Sequence, residues 1–483
     1  MHQTVCVAAA LAALCACVRN PATGKLQLDL IPESQEIDMG KQAAQEVEQT
    51  MGTYKDPKLE AYVDRIGQSL AKQTNRKNLP WQFHVVEDAS VNAFALPGGP
   101  VFVTRGILAT MNSEAEMASV VGHECGHIAA RHSANQLSKA TIAQVGLGVG
   151  MVLSPALANV GQIAGAGLQV LFLKFSRDDE SQADKLGFAY MANEGYDARE
   201  MLNLFETLGR VSQLAGGGKL PQWLATHPDP ENRLEATKQR LAEVKLDWTK
   251  AKVARDEYLA MIDGLVYGED PRQGFFRGTL FLHPELKFQI QFPQGWKTQN
   301  TPQAVAAASP KGDAMVQLGG AGKGVSPEQA SQQFFAQKGI QRGQPAPVTV
   351  HGLPAIASYF LAQSNQTQIA GLAAFVSHEG ATYAILGYTA APSLPQYDAT
   401  FKQVIGSFGP ITDASALSVT PAKVQLVRID RAMTVEQFNQ QYPSNVRLEE
   451  LALINGFADK NGRMEPGKQY KRIVGGPPYQ QAK

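Results

Sequence analysis

Apolar residues recur at helical spacing over 34–51 and again over 57–73, whereas Trp81–Val86 and Gly99–Thr104 are rich in β-branched and aromatic residues and read as strands. The second strand follows Asn92-Ala93-Phe94-Ala95-Leu96-Pro97-Gly98-Gly99. A helix is predicted to start at Ser113, where Ser113 and Glu116 have the spacing of a capping box, and to run toward Ser138. No charged residue occurs between Lys139 and Lys174, but Pro155, Asn159, Gln162 and several glycines interrupt the run. Two apolar helices joined near Pro155, buried or touching a lipid surface, are expected there rather than a membrane-spanning hairpin. Helices over 178–193 and 230–245 flank a glycine-rich loop at 216–218.

Past Gly264 the pattern changes to strand-like runs, including Phe288–Phe292, Met315–Leu318 and Thr382–Leu386, with a helix at Pro327–Gln337. The fold class expected is therefore α+β: a mainly helical domain with a small sheet over 17–265, and an α+β domain of unknown role over 275–408. A linker over 409–423 and a small strand-helix-helix-strand module over 424–475 complete it. At 483 residues, several cores are needed. Lys plus Arg and Asp plus Glu balance at 44 each, so no basic excess is available to neutralise a phosphate backbone, and nucleic acid is not an expected partner.

The apolar stretch Val5–Ala16 is too short for a permanent span and reads as a signal peptide over 1–16. Leu14-Cys15-Ala16-Cys17 resembles a bacterial lipobox, which implies lipidation of Cys17, a membrane partner through that anchor and a periplasmic location. Val18 after the cysteine points to the outer membrane. Ordinary cleavage releasing a soluble periplasmic protein is the alternative. Of the 4 cysteines, only Cys125 would remain in the mature body as a free thiol, so no disulfide framework is possible.

The chemistry concentrates in His123-Glu124-Cys125-Gly126-His127. Two histidines four apart share one helix face with β-carbons about 5–6 Å apart, close enough for both imidazoles to reach one zinc ion. Glu124 lies about 100° round the helix, beside the metal rather than on it, where a general base belongs. A third ligand must come from elsewhere, and Glu180 is the candidate, with Asp184 on the same face as a second-shell partner that orients a ligand histidine. The alternative is that Asp178, Asp179 and Glu180 complement a helix N-terminus. Gly122 and Gly126 leave a bare helix flank on which the helix carrying Glu180 could pack closely. Cys125 is expected to be a small buried hydrophobe, and His132, about 140° or more from either ligand, to be structural or exposed.

With Asn92–Gly99, His123–His127, Glu180 with Ala183-Asp184, and Thr226-His227-Pro228 followed by Arg233, residues 33–245 resemble the zinc metallopeptidase (gluzincin) family. That family includes the CAAX prenyl proteases, HtpX and the β-barrel-assembly-enhancing protease. The resemblance implies a zincin fold, one Zn2+ per chain held by His123, His127 and Glu180, and Glu124 as catalytic acid/base. It also implies that His227 and Arg233 lie near the metal, facing substrate or the open coordination position. Asn92, Ala93 and Arg233 are the expected substrate-binding residues, and the segment before and through Val101-Phe102-Val103 could offer a strand edge to an extended substrate. His227 is expected either to occupy zinc in a latent state or to stabilise the oxyanion. Leu451–Gly456 and Pro466-Gly467-Lys468 resemble LysM, which makes peptidoglycan a candidate partner, with a packing module as the leading reading. The leading expectation is a metalloendopeptidase acting on exposed or unfolded envelope polypeptides in quality control. A chaperone or assembly scaffold for outer-membrane proteins and a cell-wall zinc hydrolase are the alternatives.

Overall fold

The computed structural model describes residues 17–146, 174–214, 222–228, 230–364 and 367–476. Residues 1–16, expected to be a signal peptide, the expected helix pair around Pro155 beyond residue 146, and the glycine-rich loop at 216–218 lie outside the described residues. The chain divides into two compact units, one built from residues up to 269 together with those from 422 onward, the other from 270–421.

The first unit is built around one helix, Glu114–Ala129, in which every residue is buried. Its start is fixed by Ser113, whose hydroxyl accepts from the Glu116 amide at 3.1 Å. The reciprocal half of the expected capping box is absent, because the Glu116 carboxylate accepts instead from the Asn112 amide at 2.9 Å. The helix also stops earlier than its apolar pattern predicts. Arg131 adopts φ 56°, and a separate helix, His132–Gly146, follows. Arg131 is held in that left-handed conformation by Asp29 at 2.5 Å, Glu36 at 2.9 Å and the Ile31 carbonyl at 2.6 Å.

Helices Glu33–Met51 and Pro57–Ala71 precede a three-stranded sheet. In it Pro100–Thr104 lies between Gln82–Val86, parallel to it, and Ala93–Ala95, antiparallel to it. The strand through Val101-Phe102-Val103 is thus the middle strand, and the edge nearer the central helix is Ala93–Ala95. Of the segment before and through Val101-Phe102-Val103, the part that forms an edge is therefore Ala93–Ala95. Cys17–Arg19 pairs with Leu26–Leu28 in a short hairpin, and Asn20 Nδ2 ties it to the end of the central helix by donating to the Ala130 carbonyl at 2.8 Å.

Residues from 422 onward join this unit. Lys423–Arg428 pairs antiparallel with Gln469–Val474, around helices Val435–Gln441 and Leu448–Ile454. Val424, Phe438, Leu451 and Ile473 share one hydrophobic core with Met117 and Val120. Lys471 is fully buried and donates to the carbonyls of Ala109 at 2.9 Å and Met111 at 2.7 Å, just ahead of the central helix.

In the second unit, 270–421, an eight-stranded antiparallel sheet is covered on both faces. Alternation along Thr367–His378 sends Ala373 and Phe375 toward helix Pro327–Phe335, and Leu372, Ala374 and Val376 toward helix Leu394–Gly406. The expected linker 409–423 is structured at its start, since Gly409–Pro410 pairs with Phe288–Gln289 and Ala414–Leu417 is helical.

Candidate metal centre

The helix Arg177–Asn193 crosses the central helix at backbone contact. A β-carbon at Gly126 would lie 2.9 Å from the Ala183 carbonyl oxygen, and one at Gly187 would lie 2.8 Å from the His123 nitrogen. Glycine at both places removes the barrier, and Glu180 and Asp184 are thereby brought onto the histidines.

His123 and His127 point their Nε2 atoms at one another across 3.0 Å. Glu180 Oε1 is 3.4 Å from His127 Nε2, and Oε2 is 3.5 Å from His123 Nε2. His227 Nδ1 lies 2.9 Å from Glu180 Oε1 and 3.3 Å from His123 Nε2. One ligand atom from each of His123, His127, Glu180 and His227 falls within 4.8 Å of the others. Glu124 sits beside the cluster, its Oε1 without a hydrogen-bond partner among the described residues and 3.7 Å from His227 Nε2.

Asp184 Oδ1 accepts from His123 Nδ1 at 2.9 Å. Arg233 buttresses both carboxylates: Nε and Nη2 donate to Asp184 at 2.8 and 2.7 Å, and Nη1 is 3.0 Å from Glu180 Oε2. Burial, followed by the nearby Arg233 guanidinium, pushes the His123 imidazole down to about 3, so it is neutral near pH 7. Burial opposes ionisation of Glu180 and Asp184, but His227 and Arg233 beside the first, and the Arg233 charge with the His123 hydrogen bond beside the second, outweigh it and hold both carboxyls low. At Glu124 burial outweighs the neighbours that oppose it and pushes the carboxyl up to about 7.

A neutral His123 that gives its proton to Asp184 presents a bare lone pair at Nε2, only 3.0 Å from a second imidazole nitrogen. A cation between them relieves that repulsion. Ligands at about 2.0–2.1 Å in a tetrahedron are roughly 3.3 Å apart, close to the separations found here, and two imidazoles with a carboxylate are a hydrolytic zinc donor set. The residues fit zinc.

Residues 57–241 match the model of peptidase family M48. The M48 region contains every residue of the cluster, and metallopeptidases of this family use zinc. The β-barrel assembly-enhancing protease of Yersinia pestis is 29% identical over 219 residues, covering 44% of this chain and 45% of that protein. The mitochondrial metalloendopeptidase OMA1 of Arabidopsis thaliana is 36% identical over 166 residues, covering 34% and 32%. That of Schizosaccharomyces pombe is 30% identical over 224 residues, covering 44% and 63%. The chain spans about half the length of the bacterial relatives it matches.

His123, His127, Glu180, Asp184, Glu124 and His227 thus come together in the M48 region. Arg233 also arrives there, buried, with its guanidinium on the Glu180 and Asp184 carboxylates. Asn92 and Ala93 are buried at the edge strand, with Asn92 Oδ1 unpartnered. The Ala95 amide reaches Glu124 from the same strand. Cys125 is buried, and burial holds its thiol well above the usual range. Three neighbours were not anticipated. Phe175 stacks on His127 with centroids 4.0 Å apart, Trp223 on His227 at 4.3 Å, and His132 lies against His127. Extrapolating the helix through Arg131 hides the last of these.

Proposed function

We propose that this chain is a zinc-dependent metalloendopeptidase that cleaves exposed or unfolded polypeptides of the cell envelope. The observation that carries it is the convergence of His123, His127 and Glu180 on one point, with the Glu124 carboxylate beside it. His123, His127 and Glu180 would hold the metal, which supplies a Lewis acid and acidifies the attacking water. Glu124, with its proton affinity set by burial near neutrality, takes the proton from that water and returns it to the leaving amine. The edge strand Ala93–Ala95 lies over Glu124 and can pair with an extended substrate backbone, which selects for unfolded chain rather than for particular side chains. Asn92 Oδ1 is an acceptor free for a substrate amide at the same edge.

His227 sits close enough to the cluster to be a fourth ligand, and near enough to Glu124 to compete with water there. We read this arrangement as the latent state; withdrawal of the loop around Pro228 would open the position. Acylation of Cys17 would place the protein at the outer membrane. Exposed Val18, Leu26 and Leu30 on and beside the N-terminal hairpin support contact with a lipid surface. The strand-helix-helix-strand order over 424–475 supports a LysM-like module with peptidoglycan as partner.

The test compares wild type with Glu124→Gln on casein and on the envelope proteome. The variant should keep zinc, lose roughly 10²–10⁴-fold in turnover, and leave substrates uncut. Full hydrolysis by Glu124→Gln refutes the peptidase assignment, and envelope assembly unaffected by the loss of turnover would favour the scaffold.

A further inference from the structure

We propose that His132 is a positioning residue: it accepts the Nδ1 proton of His127 and so fixes His127 as the tautomer whose Nε2 lone pair points at the metal position. This rests on the metalloendopeptidase reading of the site. The argument follows protons inward from the protein. His132 is buried, and its Nε2 lies 2.8 Å from Gln182 Oε1 and 3.7 Å from Asp179 Oδ1. The Asp179 carboxylate cannot donate when ionised, and it is itself aimed by a capping box with Ser176, whose amide donates to Asp179 Oδ2 at 3.1 Å while Ser176 Oγ accepts from the Asp179 amide at 3.2 Å. His132 Nε2 therefore carries the proton.

With its Nε2 proton directed at the Gln182 oxygen, the neutral His132 ring offers Nδ1 as an acceptor. His132 Nδ1 faces His127 Nδ1 at 2.9 Å. Two ring nitrogens at that distance are bonded only when one of them donates, and His127 is the one with a proton to give. Its Nε2 is then bare and directed at His123 Nε2, 3.0 Å away. Without His132, the proton of a neutral His127 would be free to move to Nε2, where it would have to leave before a metal could bind.

The two ligand histidines are thus oriented by different means. His123 donates to a carboxylate, Asp184, whereas His127 donates to a neutral imidazole that passes the requirement on to Gln182 and Asp179. All three outer partners belong to the helix Arg177–Asn193, which also carries Glu180. One helix therefore brings the third ligand and sets the protonation of the other two. The turn at Arg131 makes this possible by reversing the chain so that His132 faces back onto His127.

The experiment measures zinc affinity by competition with a chelator of known affinity, and reads the His127 tautomer in zinc-free protein by ¹⁵N NMR with labelled histidine. His132→Leu should weaken zinc binding by roughly 10–100-fold, and in its zinc-free form the His127 proton should no longer be confined to Nδ1. His132→Gln, whose carbonyl can accept from His127 and whose amide can donate to Gln182, should restore most of the affinity. Gln182→Leu repeats the test one step further out, should His132→Leu fail to fold. A wild-type His127 protonated at Nε2 in the zinc-free protein, or unchanged zinc affinity in a folded His132→Leu or Gln182→Leu, overturns the proposal. The tautomer measurement stands apart from the metalloendopeptidase reading, which fails separately if wild-type protein takes up no zinc.

Discussion

Gly187→Ala tests whether the metal centre depends on backbone contact between two helices. The new methyl would lie 2.8 Å from the His123 nitrogen, 2.9 Å from the Gly122 carbonyl carbon and 3.1 Å from the His123 Cα. All three are backbone atoms of the central helix and cannot rotate away. Restoring ordinary contact requires the helices to separate by roughly 0.6 Å, whereas metal–ligand distances tolerate about 0.2 Å. Helix propensity alone favours alanine by about 1 kcal/mol, but overpacking costs about 1–3 kcal/mol, so the zinc-free protein should be destabilised by up to about 2 kcal/mol. The zinc dissociation constant should rise at least about tenfold, the lower end for disturbed supporting contacts. Gly122→Ala, whose methyl meets its nearest atom at 3.3 Å, should be milder. Gly209→Ala, with nothing within 4 Å in the helix Glu200–Leu214, should be stabilising by about 1 kcal/mol and leave zinc untouched. Urea denaturation of zinc-free protein and chelator competition report the two quantities. If Gly187→Ala behaves like Gly209→Ala in both, close helix approach is not what assembles the ligands.

Glu114 accepts from Tyr62, Tyr196 and Lys252, and although burial alone would raise its carboxyl, these bonds hold it below the usual range. Its contribution to stability is therefore complete above the unfolded value of about 4.3 and is lost as pH falls through the lower folded value. Glu114→Gln should flatten that acid-side decline in urea midpoint, and an unchanged slope would remove Glu114 from the account. Cys17→Ser should release the protein from membranes or leave it unprocessed; an unlipidated mature N-terminus in the mass spectrum of wild type refutes the anchor. His227→Ala should raise basal casein cleavage if latency dominates, or lower turnover with zinc retained if oxyanion stabilisation does. Neither change would make His227 structural.

Much of the centre was legible because helical spacing is local. His123, Glu124 and His127 are set by one helix, Glu180 and Asp184 by another, and the bare flank at Gly122 and Gly126 points to their packing. What was hidden required knowing where a helix ends. The pattern runs apolar past Ala129, and nothing in it announces a left-handed arginine, whose conformation is held by Asp29 and Glu36 from about a hundred residues earlier. His132 was accordingly read as structural or exposed, and its place against His127 went unseen. Arg233 arrives beside the cluster, and which way its guanidinium points depends on carboxylates from the other helix. The region from 422 onward reads as a module by its own periodicity. Its buried Lys471, paired with the carbonyls of Ala109 and Met111, is a long-range contact that no local pattern encodes.

The hairpin at Cys17–Leu28 has a mechanical consequence. Asn20, fastened to the Ala130 carbonyl, is only three positions from Cys17, a reach of about 10 Å even if those residues were pulled straight. An enzyme acylated there has no leash. It would ride on the bilayer like a hull rather than drift above it like a kite, with the end of its catalytic helix turned toward the water line. Its prey would then be set by depth before sequence: chains emerging at, or stalled against, the membrane surface come within its bite, and those loose in the surrounding space do not.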